Sequence, residues 1–338
     1  MREHGGVGYR RRLTPAEYVD GVLSGDRYKL ARAITLVEST GAADADLALE
    51  VIEACLPHTG GARRIGVTGV PGAGKSTFLE TLGLYLAREC GESLAVLSID
   101  PSSPVTGGSI LGDKTRMERL AMDERAFIRP SPSSGQLGGV ARRTRETMLL
   151  CEAAGYRNVF VETVGVGQSE VAVRGMVDTF LLLALAGAGD ELQGIKRGIT
   201  EITDIIAVHK ADGDGLRAAQ RAKAELQLAM HLFPKGEDGW PARVLTCSSH
   251  SGDGIREVWD TVLEHQETLR ASGFFATRRQ RQSTDWLHEA IRGALEEQFF
   301  SDEAVQRELP GLEAGVRAGT ASATRAARRL LALYNRKE

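Results

Sequence analysis

Apolar residues change their spacing along this chain, and each change predicts a different kind of element. From Thr14 to about Leu56 they recur at three- and four-residue steps, the spacing of helices with one buried face. Gly25 and Gly41 divide this stretch into helices near 14–24, 26–39 and 44–56, and Pro57 to Gly61 ends it. The first helix carries a full start signal: Thr14 as N-cap, Pro15 at the first helical position and Glu17 three residues after the cap. From Arg64 to about Leu269 short apolar runs alternate with helical stretches. Runs at Arg64–Thr68, Leu94–Asp100, Ala126–Arg129, Asn158–Glu162, Thr179–Ala186, Asp204–His209 and Arg243–Cys247 predict buried strands. Helices are expected over Ser76–Glu89, near 114–122, through Glu152 and up to Phe233. This alternation predicts an α/β fold with a mainly parallel sheet flanked by helices, and ligands at the carboxyl ends of the strands. Beyond Gly252 the pattern is helical. Leu287, Ile291, Leu295 and Phe299 share one face, and Leu330, Leu331 and Tyr334 form a second stripe. Such a tail either folds back on the sheet or pairs with a second copy. The expected organisation is an N-terminal helical extension (1–60), an α/β domain (61–270) and a C-terminal helical arm (271–338).

The chemistry concentrates where predicted strands end. Gly69-Val70-Pro71-Gly72-Ala73-Gly74-Lys75-Ser76, followed by Thr77, lies between the first strand and its helix. This is the Walker A spacing, and it makes the α/β domain a P-loop NTPase. Glycines let backbone amides approach phosphate, and the helix N-terminus presents positive potential. Lys75 would reach the β/γ-phosphates, and the Ser76 hydroxyl would ligate Mg²⁺. Three acids are further candidates around the metal: Asp100 and Glu162 at strand ends, and Asp113 in a Gly/Ser-rich loop. Some would bind directly and some through water, and Asp113 has a competing role as N-cap of helix 114–122. Glu162-Thr163-Val164-Gly165 resembles the DxxG station of GTPases, whose Gly165 N–H would sense the γ-phosphate. No Gln follows that glycine directly, and Gln168 stands at a different spacing from the usual water-positioning residue. His209-Lys210-Ala211-Asp212 reads as NKxD with His for Asn: Asp212 would accept from guanine N1–H and N2–H₂, and Lys210 would lie along the base. Cys247-Ser248-Ser249-His250 stands where a backbone N–H would meet guanine O6. In this order the stations favour guanine over adenine.

Composition narrows the rest. A net charge of −3 leaves no electrostatic footprint for nucleic acid or an anionic membrane, and Arg10-Arg11-Arg12 reads as a solvated tail. Cys55, Cys90, Cys151 and Cys247 have no paired spacing, the usage of reduced thiols. No apolar run nears the ~20 residues of a membrane span, and the first twelve residues lack the apolar segment of a secretory signal. A cytoplasmic protein is expected.

Five stretches carry a family resemblance: 66–77, 98–117, 127–155, 161–170 and 187–199. Over about residues 14–300 the chain resembles the G-protein chaperones of adenosylcobalamin-dependent methylmalonyl-CoA mutase, a family also labelled arginine/ornithine transport kinase. The resemblance implies a homodimeric GTPase with slow intrinsic turnover, whose hydrolysis gates cofactor loading and protects the mutase from inactivation. It implies Ser76, Asp100, Asp113 and Glu162 around Mg²⁺, and dimer contacts in the C-terminal helices. It also marks 187–199 as a third switch loop contacting the mutase; within that loop Lys196 is expected to reach the γ-phosphate region when the client binds, as a catalytic group beside Lys75 and Glu162. Three other readings compete. A kinase of a transport component needs an acceptor lobe and a base for the acceptor hydroxyl. A metal-delivery GTPase needs His or Cys clusters, whereas the seven His here are scattered. A nucleotide-gated scaffold differs from the GTPase timer only in turnover.

Overall fold

The computed structural model describes residues 12–39, 41–100, 117–132, 137–163, 169–186, 197–231 and 238–335. Seven strands form one wholly parallel sheet: β1 (Arg63–Gly69), β2 (Leu94–Asp100), β3 (Ala126–Pro132), β4 (Asn158–Thr163), β5 (Thr179–Leu185), β6 (Ile205–His209) and β7 (Arg243–Thr246). Their order is β3-β2-β4-β1-β5-β6-β7. The glycine-rich segment therefore leaves the central strand, and its neighbours lead to opposite halves of the sheet. The central strands read as unbroken apolar runs because helices cover both faces. In β5 and β6 nearly every residue is buried. The flanking helices are α4 (Lys75–Arg88), α5 (Glu118–Ala121), α6 (Leu137–Ala153), α7 (Ser169–Arg174), α8 (Arg197–Glu201), α9 (Leu216–His231) and α10 (Ile255–Ala271). The helix expected near 114–122 is described only as the single turn α5, and the strand expected to end at Glu162 runs on through Thr163.

Three helices precede the sheet: α1 (Pro15–Leu23), α2 (Arg27–Glu38) and α3 (Ala42–Cys55). The capping box of α1 is complete, with Glu17 N–H donating to Thr14 Oγ1 and Thr14 N–H donating to Glu17 Oε2. The trio packs on itself and on α6, with Leu30, Ala33, Ile34 and Val51 fully buried. Arg129, on the edge strand β3, pairs with Glu38 of α2 and joins the bundle to the sheet.

The amino end of the sheet is held by buried ion pairs. Asp178, just before β5, accepts from Arg279 Nε at 2.8 Å and Nη2 at 2.7 Å, and from the Arg64 N–H at 2.9 Å. Arg279 also donates to the Gly60 and Ala62 carbonyls. Beside this, Glu152 accepts from Arg64 Nε at 2.5 Å and from the Gly60 N–H.

The chain divides into two compact units, one through Gln280 and one from Arg281 onward. The boundary falls within α11 (Phe274–Ser301), and the second unit continues with α12 (Glu303–Arg317) and α13 (Ala323–Tyr334). Pro310 sits inside α12. Within this unit, Leu295, Phe299, Leu309, Val316, Leu330 and Tyr334 line an apolar groove of about 1010 Å³. Leu287, Ile291 and Leu295 of α11 are exposed at 58%, 48% and 57%.

Removing one partner of a buried ion pair leaves an uncompensated charge, which typically costs about 3–5 kcal/mol. Asp178→Ala strands the Arg279 guanidinium, so the urea-unfolding free energy should fall by about that much. A fall below about 1 kcal/mol would show that this cluster does not hold the sheet.

Candidate functional site

Because all seven strands run the same way, every loop singled out from the sequence leaves the same edge of the sheet. Gly69 closes β1, Val70 packs partly buried against the core, and Pro71 and Gly72 form a turn; Ala73 N–H donates to Val70 O at 3.1 Å. Two of the glycines are forced by contact. A Cβ at Gly69 would lie 2.4 Å from the Leu183 carbonyl oxygen of β5. Gly74, the N-cap of α4, has φ 88°, and a Cβ there would lie 2.8 Å from Cε1 of His209. Lys75 opens the helix, is buried, and donates from Nζ to the Gly69 carbonyl at 2.7 Å and to Val70 O at 3.3 Å. Thr77 follows in the first turn of α4, and its carbonyl accepts from Thr81 Oγ1 at 3.0 Å.

Glu162 enters this corner from β4. Register sets it opposite Val67 of β1 and Ser98 of β2. Its Oε1 accepts from Ser76 Oγ at 3.0 Å and its Oε2 from Ser98 Oγ at 3.2 Å. A carboxylate and two hydroxyls beside a helix N-terminus form a hard oxygen donor set, the kind that suits Mg²⁺. Ser98 is a candidate site residue missed by sequence reading. So is Thr68, whose Oγ1 accepts from Thr163 Oγ1 at 2.8 Å and fixes the end of β4 against β1.

The second half of the site comes from β6 and β7. His209 is the last residue of β6, and its buried ring reaches the phosphate loop: Nδ1 lies 2.7 Å from the Ala73 carbonyl oxygen. On its other side Nε2 lies 2.6 Å from Ser249 Oγ and accepts from the Ser249 N–H at 3.2 Å. Burial pushes the His209 pKa below the ordinary imidazole value. Lys210 has φ 59°, the one positive φ outside glycine among the described residues. That left-handed step turns the chain sharply out of the strand, and such strain collects at functional sites. Asp212 then accepts from Ser248 Oγ, which itself accepts from the His250 N–H at 3.1 Å and the Ser251 N–H at 3.2 Å. Backbone bonds from Ala211 N to Cys247 O and from Cys247 N to Val208 O hold the two loops side by side.

Of the remaining candidates, Asp100 closes β2, but its side chain lies outside the described residues. Asp113, Gly165, Gln168 and Lys196 also lie outside them, as does most of the 187–199 loop. Among the described residues, Asp204, Asp238 and His265 bring potential ligand atoms within 4.8 Å of one another. Two guanidiniums already balance that charge. Arg174 pairs with Asp204 at 2.6 and 3.0 Å, and Arg278 with Asp238 at 2.5 Å. No helix among the described residues is long and apolar enough to cross a membrane.

A parallel sheet with a phosphate-loop helix at its centre and a guanine-type loop beside it defines a P-loop GTPase. Comparison with known proteins adds the family. The model for "Methylmalonyl Co-A mutase-associated GTPase MeaB" matches residues 30–304. The GTPase ArgK of Escherichia coli is 50% identical over 294 residues, covering 87% of this chain and 88% of its own. The mouse mitochondrial methylmalonic aciduria type A homolog is 45% identical over 327 residues, 93% of this chain and 78% of that protein. A crystal structure described as an LAO/AO transport system kinase superposes with a TM-score of 0.75 at 39% identity, over 97% of this chain and all of the other. The chain belongs to the MeaB family of methylmalonyl-CoA mutase-associated GTPases. It is a GTPase, and it binds GTP and GDP.

Gly74→Ala combines a left-handed backbone with a collision against the His209 ring. Strain of this kind costs about 1–3 kcal/mol, to be read as a lower urea-unfolding free energy. Adding His209→Ala removes the collision and not the backbone strain. The two changes should therefore be non-additive by more than ~0.5 kcal/mol. Simple additivity would mean that glycine and ring do not meet.

Proposed function

We propose that this GTPase is a nucleotide-timed chaperone of a methylmalonyl-CoA-type, adenosylcobalamin-dependent mutase, gating cofactor loading and protecting the mutase from inactivation. The observation that carries the reading is the assembly at one sheet edge. Glu162 sits between the Ser76 and Ser98 hydroxyls beside Lys75, and Asp212 is braced by Ser248 one loop away. The family description of a mutase-associated GTPase supports the choice of client.

Each residue has a role that its chemistry suits. Backbone amides from Gly69 to Thr77 cradle the phosphates, and Lys75, now folded onto its own loop carbonyls, supplies countercharge as phosphoryl charge develops. Ser76 and Glu162 hold Mg²⁺, with Asp100 and Asp113 completing the set directly or through water. The ion would supply countercharge to the phosphates there. Gly165 senses the γ-phosphate, and the 187–199 loop carries nucleotide state to the client, with Lys196 reaching the phosphates when the client binds. Lys210 flanks the base. Asp212 accepts from guanine N1–H and N2–H₂, and the Ser248-Ser249-His250 turn gives an N–H to guanine O6. The exposed Leu287/Ile291/Leu295 stripe and the apolar groove of the C-terminal unit support homodimerisation through α11–α13.

Asp212→Asn should weaken GTP by about 10- to 150-fold, the worth of a charge-assisted bond, and should favour xanthosine triphosphate, measured by titration calorimetry. Equal GTP and ATP affinity in the parent protein would sink the base assignment.

Client and dimer are read together by light scattering after size exclusion. The protein alone should run at twice its chain mass and should comigrate with purified mutase differently in a non-hydrolysable GTP analogue and in GDP. Mutase should stimulate turnover, and Lys196→Ala should lose that stimulation. Identical elution in both nucleotides, with no stimulation, would overturn the chaperone reading.

A further inference from the structure

His209 stands where guanine-binding loops of this type carry Asn, and its surroundings assign it more than bulk. The Ala73 carbonyl can only accept, so the 2.7 Å contact requires the proton on Nδ1. That leaves Nε2 bare, and it receives the Ser249 N–H at 3.2 Å and the Ser249 hydroxyl at 2.6 Å. One neutral tautomer therefore satisfies every contact, and the ring spans from the phosphate loop to the turn beside Asp212. The fit is tight on its other faces. Gly74 has no room for a Cβ against the ring, and Phe78 of α4 meets it edge-on at 6.1 Å. Thr81 Oγ1 of α4 also lies 3.3 Å from the Ser249 carbonyl oxygen, sharing with it the proton it gives to Thr77 O.

We propose that His209 is a positioning residue for guanine recognition. As a neutral ring protonated on Nδ1, it ties the base loop to the phosphate loop, and the base loop is set for guanine only while that bridge stands. This rests on the reading of Asp212 and the 247–251 turn as the base site, and it explains how a residue other than Asn serves here. An Asn amide also has one donating and one accepting arm, so it can donate to Ala73 O and accept from Ser249. The imidazole differs in one respect: it can take a second proton. Nε2–H would then face the Ser249 N–H, donor against donor. The hydroxyl can rotate away, but the amide cannot. The charged groups acting on the ring are Lys210, which disfavours protonation, and Asp212, which favours it, both from its own loop. The phosphate loop presents the Ala73 carbonyl and α4 the Phe78 edge. Burial is the largest influence and lowers the pKa. The bridge is therefore intact at the ordinary imidazole pKa of about 6.5 and above, and is lost only as pH falls further, through the lowered pKa of the folded protein.

The test is titration calorimetry on the full chain with GTP, ATP and inorganic tripolyphosphate from pH 8 to 5.5, comparing parent, His209→Ala and His209→Asn. His209→Ala should lose about 10- to 100-fold in GTP affinity, the worth of two hydrogen bonds, while keeping tripolyphosphate affinity. Its preference for GTP over ATP should fall with it. His209→Asn should restore GTP binding. As pH falls through the lowered His209 pKa the parent should lose GTP affinity faster than His209→Asn, by up to about tenfold per pH unit. Phosphate protonation is common to both and cancels. Equal losses of GTP and tripolyphosphate in His209→Ala would mean a structural role only. A parent pH profile that matches His209→Asn, together with unchanged GTP affinity in His209→Ala, would overturn the tautomer bridge. The Asp212→Asn exchange separates the two levels. Without a gain for xanthosine triphosphate, the base-site reading fails and this inference fails with it. With that gain and a parent-like His209→Ala, the inference alone fails.

Discussion

Parallel pairing is the constraint from which the rest of the molecule follows. Seven strands whose ladder bonds all run one way must return by crossovers, so helices cover both faces and the strands become apolar throughout. The same constraint gathers every strand-to-helix loop at one edge. Gly69, Asp100, Glu162, His209 and the turn after Thr246 are scattered over most of the chain, yet each sits at the end of a strand pointing the same way. The central strand delivers the phosphate loop because its neighbours, β4 and β5, lead to opposite halves of the sheet. The crevice opens where those halves part.

Within that edge, backbone proximity sets the fine geometry. Gly69 lies against the Leu183 carbonyl and Gly74 against the His209 ring, so two glycines of the phosphate loop are demanded by neighbouring strands as well as by their own dihedrals. Glu162 is held by serine hydroxyls from two other elements, so its carboxylate is oriented before any ligand arrives. Lys75 by contrast folds inward onto carbonyls. Both the Glu162 carboxylate and the Lys75 ammonium are therefore held by hydrogen bonds within the site.

Much of this was legible in the residues. Unbroken apolar runs mark the seven strands to within a few residues, because burial on both faces leaves no alternation to misread. The spacing from Gly69 to Ser76 needs no partner to be recognised. What escaped depends on register or distant pairing. Ser98 looks like an ordinary polar residue in a strand until register sets it opposite Glu162. The Asp178–Arg279 pair joins residues 101 positions apart, and nothing local marks either one. The two partners of His209 come from loops on either side of β6 in space. Pro310 lies inside α12, although proline usually interrupts a helix.

The ion-pair cluster at the amino end of the sheet has a meaning beyond its local chemistry. Asp178, Arg279, Glu152 and Arg64 lie at the opposite end of the strands from the loops that do chemistry. Anchorage and reactivity are thus housed a strand-length apart. Substitutions in one end can accumulate without being felt directly at the other. A lineage of such proteins can change its loops while the clamp underneath stays as it is, and a clamp weakened by drift can be repaired without rewriting the loops. An architecture of this kind is easy to repurpose, because the parts that must change and the parts that must not are different residues.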